Sequence, residues 1–92
     1  MKKIIVFGSG EFGELILNLS KFNDIDVCAF GDDDLKNEGR EIDGIPIFKT
    51  TDLIEFSLKK GINNAICAIG NNKARSQKYQ FLKKEGFNML SI

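Results

Sequence analysis

Ninety-two residues, 42% of them apolar and 28% charged, suffice for one small packed domain and exclude a disordered chain. Thirteen basic residues balance thirteen acidic ones, so no net field draws the chain to nucleic acid or an anionic membrane. The longest apolar runs are strand-sized, far below the roughly 20 residues that cross a bilayer. Met1-Lys2-Lys3 followed by four apolar residues is no secretion signal, which makes the cytoplasm the expected compartment. With no histidine, a Cys/His zinc site and a Cys–His nucleophile pair are both excluded.

Strand and helix alternate along the chain, with no internal repeat. Lys2 to Phe7 reads as the first strand, its unbroken apolar core marking burial on both faces. Gly8-Ser9-Gly10-Glu11-Phe12-Gly13 follows directly, a G-x-G-x-x-G spacing set between strand and helix. Glycines there permit a tight turn and close backbone approach. The helix start offers unpaired N–H groups and a partial positive charge to an anion. The spacing predicts a first helix from about Glu11 to Phe22, with Phe12, Leu15, Ile16, Leu19 and Phe22 facing the sheet. Ile25 to Phe30 is the second strand. Its exit, Asp32-Asp33-Asp34, puts an acid about 20 positions beyond the glycines, as a nucleotide-binding βαβ unit requires.

A polar stretch from Asp32 to Gly44 leads to a short strand, Ile45-Pro46-Ile47-Phe48, where proline suits an edge position. Thr50 or Thr51 is placed to cap the second helix, Asp52 favours its positive end, and Gly61 stops it. Asn64 to Ile69 is the fourth strand. Gly70-Asn71-Asn72 forms a turn whose asparagine caps a third helix over about Lys73 to Glu85. Gly86 ends that helix, and Phe87 to Ile92 forms a short fifth strand. Cys28 and Cys67 read as small core residues on strands flanking the first, too far apart for a disulfide. The expected fold is α/β, one three-layer Rossmann-like half-domain over residues 1–92. Its parallel sheet has about five strands in the order 3-2-1-4-5, with helices on both faces.

Ligands of open parallel sheets bind beyond the carboxyl ends of the strands, where the strand order reverses. Here that point lies between the first and fourth strands, where the glycine loop, the Asp32 cluster and the Gly70 turn converge. The candidate binding residues are therefore Gly8, Ser9, Gly10, Glu11, Phe12, Gly13, Asp32, Asp33, Gly70, Asn71 and Lys73. No catalytic residue and no metal ligand stands out among them. Each also has a plainer role. Gly8 and Gly13 serve turn geometry and packing, Glu11 complements the helix dipole, and Phe12 either packs in the core or stacks on a ligand. Asp33 and Asp34 suit a solvated turn, which leaves Asp32 as the better ribose or base acceptor. Glu11 also repels a phosphate on the helix axis. Either it points away, or the pyrophosphate lies off-axis towards Lys73, or it faces a ligand hydroxyl or amine.

Together these segments resemble the N-terminal domain of bacterial sugar-nucleotide acyltransferases of the PglD/NeuD type. That group includes sialic-acid O-acetyltransferases and UDP-amino-sugar N-acetyltransferases. The matching stretches are Lys3 to Gly10, Phe30 to Asp34, Gly44 to Ile47, Ala68 to Arg75 and Lys83 to Phe87, in the family's order. The resemblance implies that this domain holds the nucleotide of a UDP-linked sugar and binds no cofactor of its own. Gly10, Glu11 and Phe12 would lie against the ligand, Asp32 and Asp33 at its nucleoside, and Gly70 beside it. It further implies a left-handed β-helix domain that binds acetyl-CoA, forms trimers and supplies a catalytic histidine. This chain has neither hexapeptide repeat nor histidine, so acetyl transfer is not expected from it alone. It departs from the family at Phe12, where histidine is common, and at Glu11, where a small residue is. Competing expectations are an NAD(P)-binding redox domain, the head of a sugar-nucleotide dehydratase of polysaccharide biosynthesis, and an interaction module with no ligand.

Overall fold

A computed structural model gives the architecture; it describes residues 2–37 and 39–90, apart from the side chains of Phe12 and Leu35. The elements in chain order are β1 (Lys2–Phe7), α1 (Glu11–Ser20), β2 (Ile25–Gly31), a single 3-10 turn (Leu35–Asn37), β3 (Glu41–Ile42) and β4 (Ile45–Phe48). They continue with α2 (Thr50–Lys60), β5 (Asn64–Cys67), α3 (Asn72–Lys84) and β6 (Asn88–Met89). The sheet runs β3-β4-β2-β1-β5-β6. Its β4-β2-β1-β5-β6 portion is parallel and reproduces the expected five-strand order. The expected last strand extends to Ile92, but its final two residues, 91 and 92, lie outside the described residues.

The sixth strand corrects the sequence reading. β3 pairs antiparallel with β4, joining Glu41 to Pro46 and Ile42 to Ile45. Asp43 (φ 49) and Gly44 (φ 80) make the left-handed pair that a two-residue hairpin turn needs. The Asp-Gly signal was present, but Glu41-Ile42 is too short to stand out within a polar stretch. β4 is therefore not an edge strand: it is held by β3 on one side and by β2, through Phe30↔Ile47 and Gly31↔Phe48, on the other.

Alternation along β1 divides the core. Ile4 and Val6 face α1, packing with Ile16, Leu17, Val27, Phe30 and Ile66. Ile5 and Phe7 point the other way, towards Leu53 of α2, Leu82 of α3 and Phe87. Helices thus cover both faces, as expected for right-handed crossovers.

The α1 stripe is rotated from its expected position. Gly13, Ile16, Leu17 and Ser20 are buried, while Leu15 is 49% and Phe22 85% exposed. The cause is a close backbone contact: a Cβ on Gly13 would sit 2.3 Å from the Gly8 carbonyl oxygen. The helix lies on its small residues, and Ser20 satisfies its buried hydroxyl by donating to Leu17 O at 2.6 Å. It also ends before Phe22, with the Asn23 side-chain amide donating to Leu19 O at 2.7 Å and Asp24 turning left-handed at φ 54.

Both cysteines are free and half-buried rather than fully interior. Ile4 pairs with Val27 and Ile5 with Ala29, so Cys28 is the extra residue of a β-bulge. Burial pushes both thiols up, with the Asp26 charge adding to it at Cys28, so neither is a thiolate nucleophile near neutral pH.

Replacing Gly13 with Ala adds helix propensity but drives a methyl group into backbone that cannot yield. Denaturant unfolding of Gly13→Ala is expected to show a net loss of about 1–3 kcal/mol. An unchanged midpoint would show that this contact does not seat the helix.

Candidate functional site

Loops beyond the carboxyl ends of β1 and β5 enclose a cleft of about 510 Å3. It is lined by Phe7, Gly8, Ser9, Gly10 and Glu11, by Asp32 from the end of β2, and by Ala68, Ile69 and Gly70 after β5. The glycines of the first loop divide by role. Gly8 has φ 118, and a Cβ on it would meet the Ala68 carbonyl oxygen at 2.5 Å. Gly13 is fixed by its contact with Gly8. Gly10 is different: its φ is −80, and a Cβ there would meet nothing within 4 Å. Folding requires two of the three glycines and leaves the third open to the cleft. No side chain caps α1, whose first backbone bond joins Glu14 N–H to Gly10 C=O at 3.1 Å. Amides of its first turn are thus left to solvent or a ligand.

Asp32 is a junction between loops. The Ser9 hydroxyl donates to its Oδ2, and the Asn37 amide donates to the same oxygen at 3.0 Å. Its Oδ1 accepts the Asp34 N–H at 2.9 Å, a local turn that sets the side chain's direction. The strand exit can reach this geometry because Gly31 lacks a side chain. A Cβ there would meet Leu53 Cδ2 at 2.5 Å and Phe7 Cδ2 at 2.6 Å.

Asp33 turns away from Asp32 towards the other sheet face. Its Oδ1 accepts the Thr50 N–H at 3.0 Å and the Thr50 hydroxyl at 2.6 Å, which caps α2 from another loop. The expected self-capping by Thr50 or Thr51 is thereby corrected: Lys49 occupies the N-cap without a side-chain bond, and Thr50 is the first helical residue. Lys78 of α3 completes the arrangement, its ammonium 3.0 Å from Asp33 Oδ2 and 4.3 Å from the centre of the Phe7 ring. Partial burial alone would raise the Asp33 pKa. The Thr50 bonds and the Lys78 bond and charge outweigh it and hold the carboxyl below its usual range.

Of the candidates, the cleft brings together Gly8, Ser9, Gly10, Glu11, Asp32 and Gly70. Gly13 lies buried under the loop, and Asn71 spends its side chain capping α3 through Ala74 N–H at 2.9 Å. Lys73 is exposed on the first turn of α3 and does not line the cleft. The Phe12 side chain lies outside the described residues. The charged residues lining the cleft, Glu11 and Asp32, are both acidic. Sequence reasoning passed over Asn37 and Lys78 and named Thr50 only as a helix cap. Lys78 carried a signal, since it stands at helical spacing with Ala74, Phe81 and Leu82, where an inward position is expected.

Among the described residues, no group of three or more His, Cys, Asp or Glu side chains could hold a metal ion. No helix there is long and apolar enough to cross a membrane. A second groove of about 580 Å3 lies between α1 and α3, lined by Leu15, Leu19, Tyr79 and Leu90 among others, away from the glycine loop.

Because its folded-state pKa is depressed, ionised Asp33 stabilises the fold fully above the unfolded value of about 4, and this is lost as pH falls through the lower folded value. Asp33→Asn keeps acceptors for Thr50 but cannot ionise. Its melting temperature should fall less than the wild type's between about pH 4 and pH 2. Parallel acid limbs would show that ionisation of Asp33 does not contribute to stability.

No curated protein sequence matches this chain. Among solved structures, UDP-D-quinovosamine 4-dehydrogenase from Vibrio fischeri superposes with a TM-score of 0.87 at 23% identity, covering 99% of this chain and 77% of that one. A mutant perosamine N-acetyltransferase from Caulobacter crescentus, solved with CoA and GDP-perosamine, gives a TM-score of 0.83 at 19% identity over 96% of this chain. This chain spans 40% of that enzyme's length. The Rex-family repressor RSP gives a TM-score of 0.79 at 19% identity over 95% of this chain and 42% of its own. At these identities the likeness is one of fold. The family is shown by the sequence itself: residues 3–82 match the PglD N-terminal domain. The chain belongs to the PglD N-terminal domain family.

Proposed function

We propose that this domain holds the nucleotide part of a nucleotide-linked sugar, a UDP-linked amino sugar in the first instance, and presents the sugar for acetyl transfer carried out elsewhere. The observation that carries the reading is Gly10. Its freedom is not used by the fold, it lines the cleft, and it directly precedes the uncapped turn of α1. A glycine at that place lets a phosphate approach the backbone closely. Asp32, half-buried on the same cleft, suits a ribose or base donor. A similarly folded acetyltransferase solved with GDP-perosamine agrees with a nucleotide sugar as the class of ligand.

With no cation lining it among the described residues, the cleft would hold a diphosphate through backbone amides and the helix dipole rather than through an ion pair. The acyl chemistry needs partners these residues do not contain. The family resemblance assigns acetyl-CoA binding and a catalytic histidine to a β-helix domain, and these 92 residues include no histidine.

Calorimetric titration with UDP, GDP, a UDP-amino sugar and NADH tests the proposal. UDP and the UDP-amino sugar should bind, and at a hundredfold excess over Kd should stabilise the fold by about 2.7 kcal/mol. Gly10→Asn provides a good helix cap, so its stability should stay within about 0.5 kcal/mol of wild type. Its UDP affinity should fall about tenfold or more because the side chain fills the phosphate's approach. Binding of NADH alone, or no binding of any nucleotide, would contradict the proposal.

A further inference from the structure

We propose that Ser9 determines how many ligand hydroxyls the Asp32 carboxylate can accept, and so how strongly the cleft reads a ribose diol. This rests on the reading of the cleft as a nucleotide site. A carboxylate offers about four lone-pair positions. Among the described residues three on Asp32 are taken: Asp34 N–H on Oδ1, and the Ser9 hydroxyl and Asn37 amide on Oδ2. One position remains, enough for a single hydroxyl but not for both hydroxyls of a ribose.

The three donors are not equivalent. The Asp34 bond is a backbone turn, and Asn37 does not line the cleft, whereas Ser9 does. Ser9 is also a hydroxyl, the same donor type that a ribose brings. A second ribose hydroxyl reaches Asp32 only by displacing Ser9, exchanging one hydroxyl bond for another with little net gain. The native cleft therefore gains little from the second hydroxyl. Removing the Ser9 hydroxyl frees that position while leaving the Asn37 and Asp34 bonds to hold the carboxylate.

The experiment measures affinities of wild type, Ser9→Ala and Ser9→Thr for UDP and GDP, each beside its 2′,3′-dideoxy form. Ser9→Ala should bind the ribonucleotide about three- to tenfold more tightly than wild type, the net worth of one ordinary hydrogen bond gained. Affinity for the dideoxy form should not change, and Ser9→Thr, which restores the hydroxyl, should restore the wild-type ratio. Equal weakening of both forms in Ser9→Ala would overturn the proposal and make Ser9 a loop-positioning residue. An unchanged ratio with intact binding would overturn it too. Absence of nucleotide binding to wild type and variants alike would instead remove the underlying reading, and this inference with it.

Discussion

One close approach governs this domain: the backbone of α1 rests on the end of β1. Gly13 lies against the Gly8 carbonyl, and Gly8 in turn lies against the Ala68 carbonyl after β5. A methyl group at either place would overlap backbone atoms, so only glycine lets the helix start, β1 and the β5 exit meet. The rotation of α1 follows from the same contact, which buries Ile16, Leu17 and Ser20 and leaves Leu15 outside. So does the cleft, since its walls are the segments that this contact draws together. Gly10 stands between the two constrained glycines without sharing their constraint, and the proposed ligand site rests on that asymmetry.

The acidic exit of β2 divides its work among consecutive residues. Gly31 makes room for Phe7 and Leu53, Asp32 joins the glycine loop, and Asp33 reaches across to α2 and α3. Asp34 then accepts the Lys36 N–H at 3.0 Å to start the following turn. Consecutive aspartates just past the end of β2 therefore have different partners, Asp32 in the glycine loop and Asp33 at Thr50 and Lys78. Lys78 serves the fold face of this arrangement. Its ammonium neutralises Asp33 over the Phe7 ring, while the charged side chains lining the cleft among the described residues, Glu11 and Asp32, are acidic.

Much of this was legible in the sequence because periodicity and punctuation agreed. β1, β2, α2 and α3, the stops at Gly61 and Gly86, and the Asn71 cap follow from local chemistry. Local patterns failed where a distant residue decides the outcome. Hydrophobic spacing placed Leu15 and Phe22 inward, but glycine contact rather than hydrophobicity oriented the helix. Thr50 looked like its own cap because nothing local reveals Asp33, seventeen residues away, as the acceptor. The β3–β4 hairpin was hidden by its two-residue first strand, although Asp43-Gly44 marked the turn. Of the candidate residues, Gly8 to Glu11, Asp32 and Gly70 meet on one cleft. Asp32 was singled out at the strand exit, but which glycine is free, and that Asp33 serves Thr50 and Lys78 rather than a solvated turn, depended on packing that no spacing rule contains.

The central claim, a nucleotide cradle built on the glycine contact, is tested most directly by mapping UDP on backbone amide resonances by NMR. The account predicts that the largest shifts fall on Gly8 to Gly13, Asp32 and Ala68 to Gly70, and fade along α2. Shifts concentrated instead on Leu15, Leu19, Tyr79 and Leu90, in the groove between α1 and α3, would contradict it.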